Sequence, residues 1–147
     1  MLTTSQFEEV TIACLQLART TYFYYVDGML IDTGPPKALE AVKLLYEQLE
    51  IDLVCLTHSH EDHCGTAPYL SNQCGIPVYA HENAIEICSK PAQYPLYRQY
   101  IWGLRDEGFP VKPLAKTFQT RNYTWEVIET QLKLLLINIG GWAICRP

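Results

Sequence analysis

The sequence is short of three features, and each shortage excludes a class of protein. Basic residues are few: 11 Lys and Arg against 16 Asp and Glu leave a net charge of −5. We therefore expect no nucleic-acid partner, because phosphate binding requires a basic surface. The longest nearly apolar run, residues 134–145, is shorter than the ~20 residues of a membrane-spanning helix, so we expect no membrane partner. Residues 1–10 also lack the basic and apolar regions of a secretory signal.

Cysteine pairs of the C-x-x-C type are missing as well. The six cysteines are scattered along the chain: Cys14, Cys55, Cys64, Cys74, Cys88 and Cys145. Without an export signal we expect free thiols that fill small apolar sites. What is present is a chain of 147 residues, 48% apolar and 18% charged, which is enough for one domain with a buried core. We predict a single-domain, cytoplasmic protein.

The periodicity of the apolar residues predicts an α/β fold. Residues 22–26 and 29–32 favour strands and flank Asp27-Gly28, a pair whose backbone preferences suit the two-residue turn of a β-hairpin. Further elements are predicted in alternation: a helix over 37–50, a strand covered on both faces over 51–57, a strand over 75–80 and a helix over 82–89. Such alternation with short connections is typical of α/β proteins.

The part that follows is less regular. Residues 90–116 contain four prolines and are predicted to form a long surface loop, which is often a functional segment. Residues 117–120 and 123–130 are predicted to pair as strands around Arg121-Asn122.

Three of the four histidines lie within six residues, together with an aspartate: His58, His60, Asp62 and His63. Imidazole and carboxylate groups are costly to bury and gain little from clustering. They are, however, ligands that zinc prefers. Two ions ~3.5–4 Å apart would share a water, lower its pKa and polarise a carbonyl or phosphoryl oxygen. The cluster therefore predicts a metal centre.

The residues around this cluster resemble a known family, the metallo-β-lactamase-fold hydrolases. Thr57-His-Ser-His-Glu-Asp-His-Cys-Gly65 is similar to the family's T-H-x-H-x-D-H-x-G motif, Leu30-Ile-Asp-Thr-Gly34 to its first motif, and residues 76–82 to its next strand. The resemblance implies an α/β, metallo-β-lactamase-like αββα sandwich with the metal site on the rim of the sheets.

The resemblance also implies a role for each site residue. His58 and His60 would bind the first metal ion, and Asp62 and His63 the second. Asp62 would in addition be catalytic, because it would orient the attacking hydroxide. Asp32 matches the aspartate of the first motif, which supports the metal ligands from behind; a simple turn residue at the end of a strand is the alternative interpretation.

The sequence departs from the family after Thr130. There the family continues with P-G-H-[ST], whose histidine completes the first metal site, and later supplies a bridging aspartate and a last histidine. Residues 131–147 contain no histidine and no acidic residue. We therefore expect residues 1–130 to be the N-terminal part of the domain, with only the first half of the sandwich present. Residues 131–147 would be a divergent apolar tail of a truncated or frame-shifted product.

The function expected from this resemblance is that of a zinc-dependent hydrolase. A metal-bound hydroxide would attack the carbonyl of an ester, thioester, lactone or lactam in a small-molecule substrate, with two Zn²⁺ ions per intact site and iron or manganese as alternatives. A catalytically inactive, metal-binding remnant of the fold is the alternative interpretation. A nuclease and an iron-dependent redox protein are further alternatives within the superfamily. The oligomeric state stays open.

A missing second half would also affect stability. We expect four apolar side chains to be uncovered or poorly packed: Leu53, Val54, Ile76 and Val78. Each uncovered side chain forfeits roughly 1.5–3 kcal/mol, so we expect a partly unfolded or self-associating chain. Leu132, residues 134–137 and Ile139 are expected to form an improvised strand over the exposed surface.

Overall fold

A computed structural model describes residues 1–17, 19–129, 134–138 and 142–144. The strands are β1 (Leu2–Phe7), β2 (Val10–Gln16), β3 (Thr20–Val26), β4 (Met29–Ile31), β5 (Leu53–Cys55), β6 (Val78–Ala80), β7 (Lys112–Pro113), β8 (Thr117–Gln119), β9 (Thr124–Glu129), β10 (Leu134–Asn138) and β11 (Trp142–Ile144). The helices are α1 (Leu39–Gln48), α2 (Glu61–Cys64), α3 (Glu82–Cys88) and α4 (Leu96–Trp102). A 3₁₀ turn, Pro36–Ala38, precedes α1, and a π-helical turn, Tyr69–Gln73, follows α2. Within the described ranges, no helix has the length and apolar character to cross a bilayer.

Strands β1 to β7 form one mixed sheet in chain order. The pairs from β1 to β4 are antiparallel and those from β4 to β7 are parallel. The predicted hairpin is confirmed as β3 and β4, with φ +52° at Asp27 and +80° at Gly28 in the turn. Glycine is favoured at position 28, because a φ of +80° lies in the left-handed region that residues with a Cβ rarely adopt.

The hairpin of β1 and β2 is not predicted by the sequence. Its first strand consists mainly of exposed polar residues, so it has no alternation of apolar and polar side chains to signal a strand. The six paired positions from Leu2↔Leu15 to Phe7↔Val10 show that pairing with β2 holds it in place.

One core lies between this sheet and the helices. It includes Val42 of α1, Ala84 of α3, and Leu30 and Val54 of the sheet. On β5, Val54 belongs to this cluster and Cys55 to the cluster on the opposite face. This alternation confirms the prediction that β5 is covered on both faces.

The expectation that four apolar residues are uncovered is wrong. Val54 and Val78 are 0% and 1% exposed, while Leu53 and Ile76 are half-buried and pack against the two clusters. The helices cover one face of the first sheet, and the second sheet covers the other. Val54 and Val78 are therefore removed from water, and Leu53 and Ile76 are partly covered, by the layers that the structure describes.

The second sheet is antiparallel, in the order β11-β10-β9-β8. The predicted pairing around Arg121-Asn122 is confirmed as β8 and β9. Trp125 and Val127 of β9 pack against Met29 and Ile31 of β4, which makes a second core between the two sheets. Residues 134–138 pair with β9, as expected of an improvised strand, whereas Leu132 and Ile139 lie outside the described residues. The division at residue 130 stays a prediction.

The prediction of a surface loop over residues 90–116 is wrong in part. The segment contains α4 and β7, and it buries Trp102, Arg105 and Phe109. Arg105 donates hydrogen bonds to the carbonyls of Ile87, Cys88, Lys90 and Glu107. These bonds satisfy a buried guanidinium and tie the segment to the end of α3. The four prolines concealed this order, because they mark turns and not the absence of packing.

Candidate metal centre

The motif loop lies at the carboxyl edge of the parallel part of the first sheet. Strand β5 ends at Cys55, and the chain passes through Thr57 and His58 before α2 begins at Glu61. Strand β4 is the parallel neighbour of β5, so Asp32, which follows β4, reaches the same edge. The carboxyl ends of parallel strands are where ligands bind in α/β sheets.

Asp32 is the anchor of the loop. It is 1% exposed and adopts the left-handed conformation, with φ +60°. Its carboxylate accepts hydrogen bonds from the backbone N and the hydroxyl of Thr57, each at 2.8 Å, and lies 2.7 Å from Nδ1 of His63. When Nδ1 is the protonated nitrogen, the bond orients the ring so that Nε2 is the atom offered to a ligand.

A second set of hydrogen bonds fixes α2 against β4. The backbone N and the hydroxyl of Thr33 donate to the carbonyl of His63 at 2.7 and 3.0 Å. The carbonyl of Thr33 in turn accepts bonds from the hydroxyls of Tyr46 and Thr66, both at 2.7 Å. The sequence alone predicts no role for these three residues. Thr33 lies inside the first motif, whereas nothing in the sequence marks Tyr46, which lies on a predicted core helix.

Three of the four candidate metal ligands come together. Ligand atoms of His58, Asp62 and His63 all lie within 4.8 Å of one another, and Nε2 of His63 is 3.3 Å from Oδ2 of Asp62. The ligands of one tetrahedral zinc ion lie ~3.3–3.5 Å apart, because each is about 2.0–2.1 Å from the metal. The pair is therefore spaced as two ligands of one ion would be.

His60 stands beside this cluster and not within it. It is exposed and immediately precedes α2, and its ring centroid is 4.7 Å from that of His58. The motif resemblance pairs His58 with His60 and Asp62 with His63, whereas the geometry groups His58 with Asp62 and His63. The fourth histidine, His81, caps α3 by accepting a hydrogen bond from the backbone N of Asn83.

The charges in the cluster shift three pKa values. Burial disfavours the protonated form of His63, but hydrogen bonds to Asp32 and Asp62 outweigh it and raise the pKa of His63 to about 9. Burial also opposes ionisation of Asp62, yet the hydrogen bond and charge of His63 lower its pKa to about 2. Burial and the charge of His63 lower the pKa of His58 to about 4. At neutral pH, therefore, the imidazole of His58 is unprotonated, Asp62 is a carboxylate, and the imidazole of His63 carries a positive charge.

The donor set fits a divalent transition metal. It combines imidazole nitrogens with a carboxylate oxygen, the ligand types of zinc, iron and manganese sites. Asp32 orients one of the imidazoles, as carboxylates do for metal-bound histidines. The site favours a positive charge, and a metal ion would replace the proton that His63 otherwise carries.

A buried ion pair beside the cluster was also missed by the sequence analysis. Glu61, between His60 and Asp62, is 4% exposed, and its carboxylate accepts a 2.5 Å hydrogen bond from Nε of Arg98 on α4. The two residues are 37 positions apart, so no local pattern connects them.

Comparison with known sequences identifies the family. The sequence pattern of the Metallo-beta-lactamase superfamily matches residues 19–139. A UPF0173 metal-dependent hydrolase from Cupriavidus metallidurans is 38% identical over 47 residues, which are 32% of this chain and 16% of that protein.

Two solved structures show the same fold. A metallo-beta-lactamase from Pontibacter korlensis superposes with a TM-score of 0.63 at 19% identity, over 94% of this chain and 67% of that one. The metallo-beta-lactamase GOB-18 from Elizabethkingia meningoseptica gives a TM-score of 0.61 at 16% identity, over 86% of this chain and 52% of that one. The predicted fold class is thereby confirmed.

The chain is shorter than these relatives. It spans 16% of the curated hydrolase and between 52% and 67% of the two solved structures. The family match nevertheless covers most of the chain and includes the motif loop, Asp32 and strands β3 to β10. The chain belongs to the metallo-beta-lactamase superfamily.

Proposed function

We propose that this chain carries the metal-binding part of a metal-dependent hydrolase centre that acts on a small-molecule ester, thioester, lactone or lactam. The observation that supports this best is the convergence of His58, Asp62 and His63 on one point, backed by the carboxylate of Asp32. Zn²⁺ is the metal that this ligand set favours, with iron or manganese as alternatives. The names of the similar proteins, a metal-dependent hydrolase and metallo-beta-lactamases, support the same reaction class.

Each residue has a defined part in this proposal. His58, Asp62 and His63 would hold the metal, with His60 beside them as a further candidate ligand. Asp32 would keep Nε2 of His63 turned toward the metal. When bound, the metal would supply an acidified water and polarise the substrate carbonyl. Asp62 stays ionised far below neutral pH, so its carboxylate would accept a hydrogen bond from the attacking water and orient it.

A non-catalytic, metal-binding protein is the second candidate. A catalytic zinc ion normally has three protein ligands and one open position. Residues 131–147 supply no histidine and no carboxylate side chain, and His81 is engaged as a cap of α3. If the four motif residues held two ions, each ion would have two of these ligands, which would weaken both the affinity and the control of a bound water.

Zinc binding is the first test. Metal-free protein titrated with Zn²⁺ in a calorimeter should take up stoichiometric metal, and the double variant His58→Ala/His60→Ala should lose this uptake. The matched control is His81→Asn, which removes a histidine outside the cluster and keeps a side chain that can cap α3. Unchanged uptake in the double variant would refute the metal assignment.

Turnover then separates the two candidates. The zinc-loaded protein is assayed with a chromogenic ester, a thioester and a phosphodiester. Hydrolysis that requires zinc and is lost in Asp62→Asn supports the hydrolase. Stoichiometric zinc binding without turnover of any substrate supports the non-catalytic alternative.

A further inference from the structure

A cavity of about 620 Å³ opens beside the metal cluster. Its lining includes His60 and Glu61 of the motif loop, Lys90 and Tyr94 of the segment after α3, Arg98 of α4, and Arg105. The volume lies in the range of small-molecule sites. Since the ring of His60 is 4.7 Å from that of His58, a molecule in this cavity would lie next to the candidate metal ligands.

Arg98 presents unused hydrogen-bond donors to this cavity. Its side chain is 28% exposed, and its Nε donates a hydrogen bond to Glu61. Among the residues that the structure describes, Nη1 and Nη2 of Arg98 have no hydrogen-bond partner. The outer edge of a guanidinium is a planar pair of donors that matches the two oxygens of a carboxylate or phosphate group.

The lining is positively charged in an otherwise acidic chain. Arg98 is balanced by Glu61, and Lys90 by Glu86, at N–O distances of 2.5 and 2.7 Å. Arg105 is 3% exposed and bonds to carbonyl oxygens, so its positive charge has no carboxylate opposite it within the described lining. This local excess contrasts with the net charge of −5 for the whole chain, and a metal at the cluster would increase it.

We propose that this cavity is an anion-binding subsite, in which Arg98, assisted by Lys90, holds a carboxylate or phosphate group of the substrate. The inference rests on the proposed function, which supplies the hydrolysable group of the substrate. The anionic group would anchor a molecule whose scissile bond lies toward His60. Tyr94 lines the same space and would pack against the body of the molecule. The expected substrate is therefore a small acid or phosphate that carries a hydrolysable acyl group.

Anion binding is tested on the metal-free chain, so that the outcome does not depend on catalysis. Glutarate and inorganic phosphate are titrated separately at low ionic strength, which avoids screening. Glu61→Gln removes the carboxylate that competes for Arg98, and we expect it to bind the preferred anion several-fold more tightly. The pair Glu61→Gln/Arg98→Met removes both charges of this ion pair, so that neither is left buried without its partner, and should bind at least about tenfold more weakly than wild type.

A matched pair of lysine variants removes one exposed cation each. Lys90→Ala, inside the lining, should weaken binding about two- to threefold. Lys43→Ala, which breaks a similar ion pair with Glu40 on α1, should leave binding unchanged. No binding of either anion, or equal binding by wild type and Glu61→Gln/Arg98→Met, would overturn the proposal. Whichever anion binds more tightly identifies the group.

A second assay links the subsite to the reaction. Zinc-loaded protein is compared on nitrophenyl acetate and on the nitrophenyl monoester of glutaric acid. A preference for the acidic ester that falls in Lys90→Ala but not in Lys43→Ala supports the subsite. Absence of turnover on both esters, with anion binding intact, would refute the proposed function and leave the anion site standing. Turnover of both esters at equal kcat/KM would overturn the link between the subsite and the substrate.

Discussion

The stability of the metal-free protein should depend on pH in a way that reports directly on the histidine cluster. His63 has a pKa of about 9 in the folded chain, against an ordinary value of 6.5. Its side chain is 6% exposed, so solvent screens the interaction little. Because the folded state binds this proton more tightly, the stabilisation is complete below pH 6.5 and is lost as the pH rises through about 9. At 1.36 kcal/mol per pKa unit, the loss amounts to about 3 kcal/mol.

His58 acts in the opposite direction. Its pKa falls from 6.5 to about 4 on folding, so the folded state resists protonation. The free energy of unfolding therefore decreases as the pH falls from 6.5 toward 4. The ring is partly exposed, which reduces the effect to about 1–2 kcal/mol. We call the loss of stability above pH 6.5 the alkaline limb of the profile and the loss below pH 6.5 the acidic limb. Together they predict a maximum of stability close to pH 6.5.

Urea unfolding of metal-free protein between pH 4 and pH 10, followed by tryptophan fluorescence, measures this profile. The variant His63→Asn keeps a donor near Nδ1 for Asp32 but cannot titrate, so it should lose the alkaline limb and keep the acidic one. A free energy of unfolding that stays constant from pH 6.5 to pH 10 in the wild type would refute the charge assignment of the cluster. So would an alkaline limb that persists in His63→Asn.

Three further results are expected. Asp32→Ala should lower the free energy of unfolding by at least about 3 kcal/mol, because it removes an acceptor for Thr57 and His63 at a left-handed position that alanine tolerates poorly. Asp32→Asn should lower the free energy of unfolding by less and should move the alkaline limb to lower pH. Arg98→Met should lower the free energy of unfolding by about 2–4 kcal/mol, because it leaves the buried Glu61 unpaired. Adding Glu61→Gln should recover much of that loss, and equal stability of the single and double variants in urea would contradict this. Stoichiometric Zn²⁺ should flatten the alkaline limb, since a metal takes the place of the proton on His63, and an unchanged limb in the same titration would place the metal elsewhere.

The candidate ligands and the central elements could be predicted from the sequence because their signals are local. His58, His60, Asp62 and His63 lie within six residues, so one loop carries them whatever the rest of the chain does. The β3–β4 hairpin follows from Asp27-Gly28, because the backbone preferences of these two residues favour a tight turn. The neighbouring strands pair on either side of that turn. Likewise, α1 follows from apolar spacing over its own length, although it begins at Leu39 after a 3₁₀ turn.

Only the tertiary structure decides how these local pieces meet. Asp32 and His63 are 31 positions apart, and their 2.7 Å contact exists because β4 and β5 are parallel neighbours that end at the same edge. The contact of Glu61 with Arg98 depends on α4 lying against the motif loop, and the four bonds of Arg105 depend on the later segment lying against the end of α3. The β1–β2 hairpin is stabilised by backbone pairing that leaves no apolar pattern in β1. Periodicity and short motifs report what a residue prefers, whereas the partner of a buried charge is set by chain segments that come together only on folding.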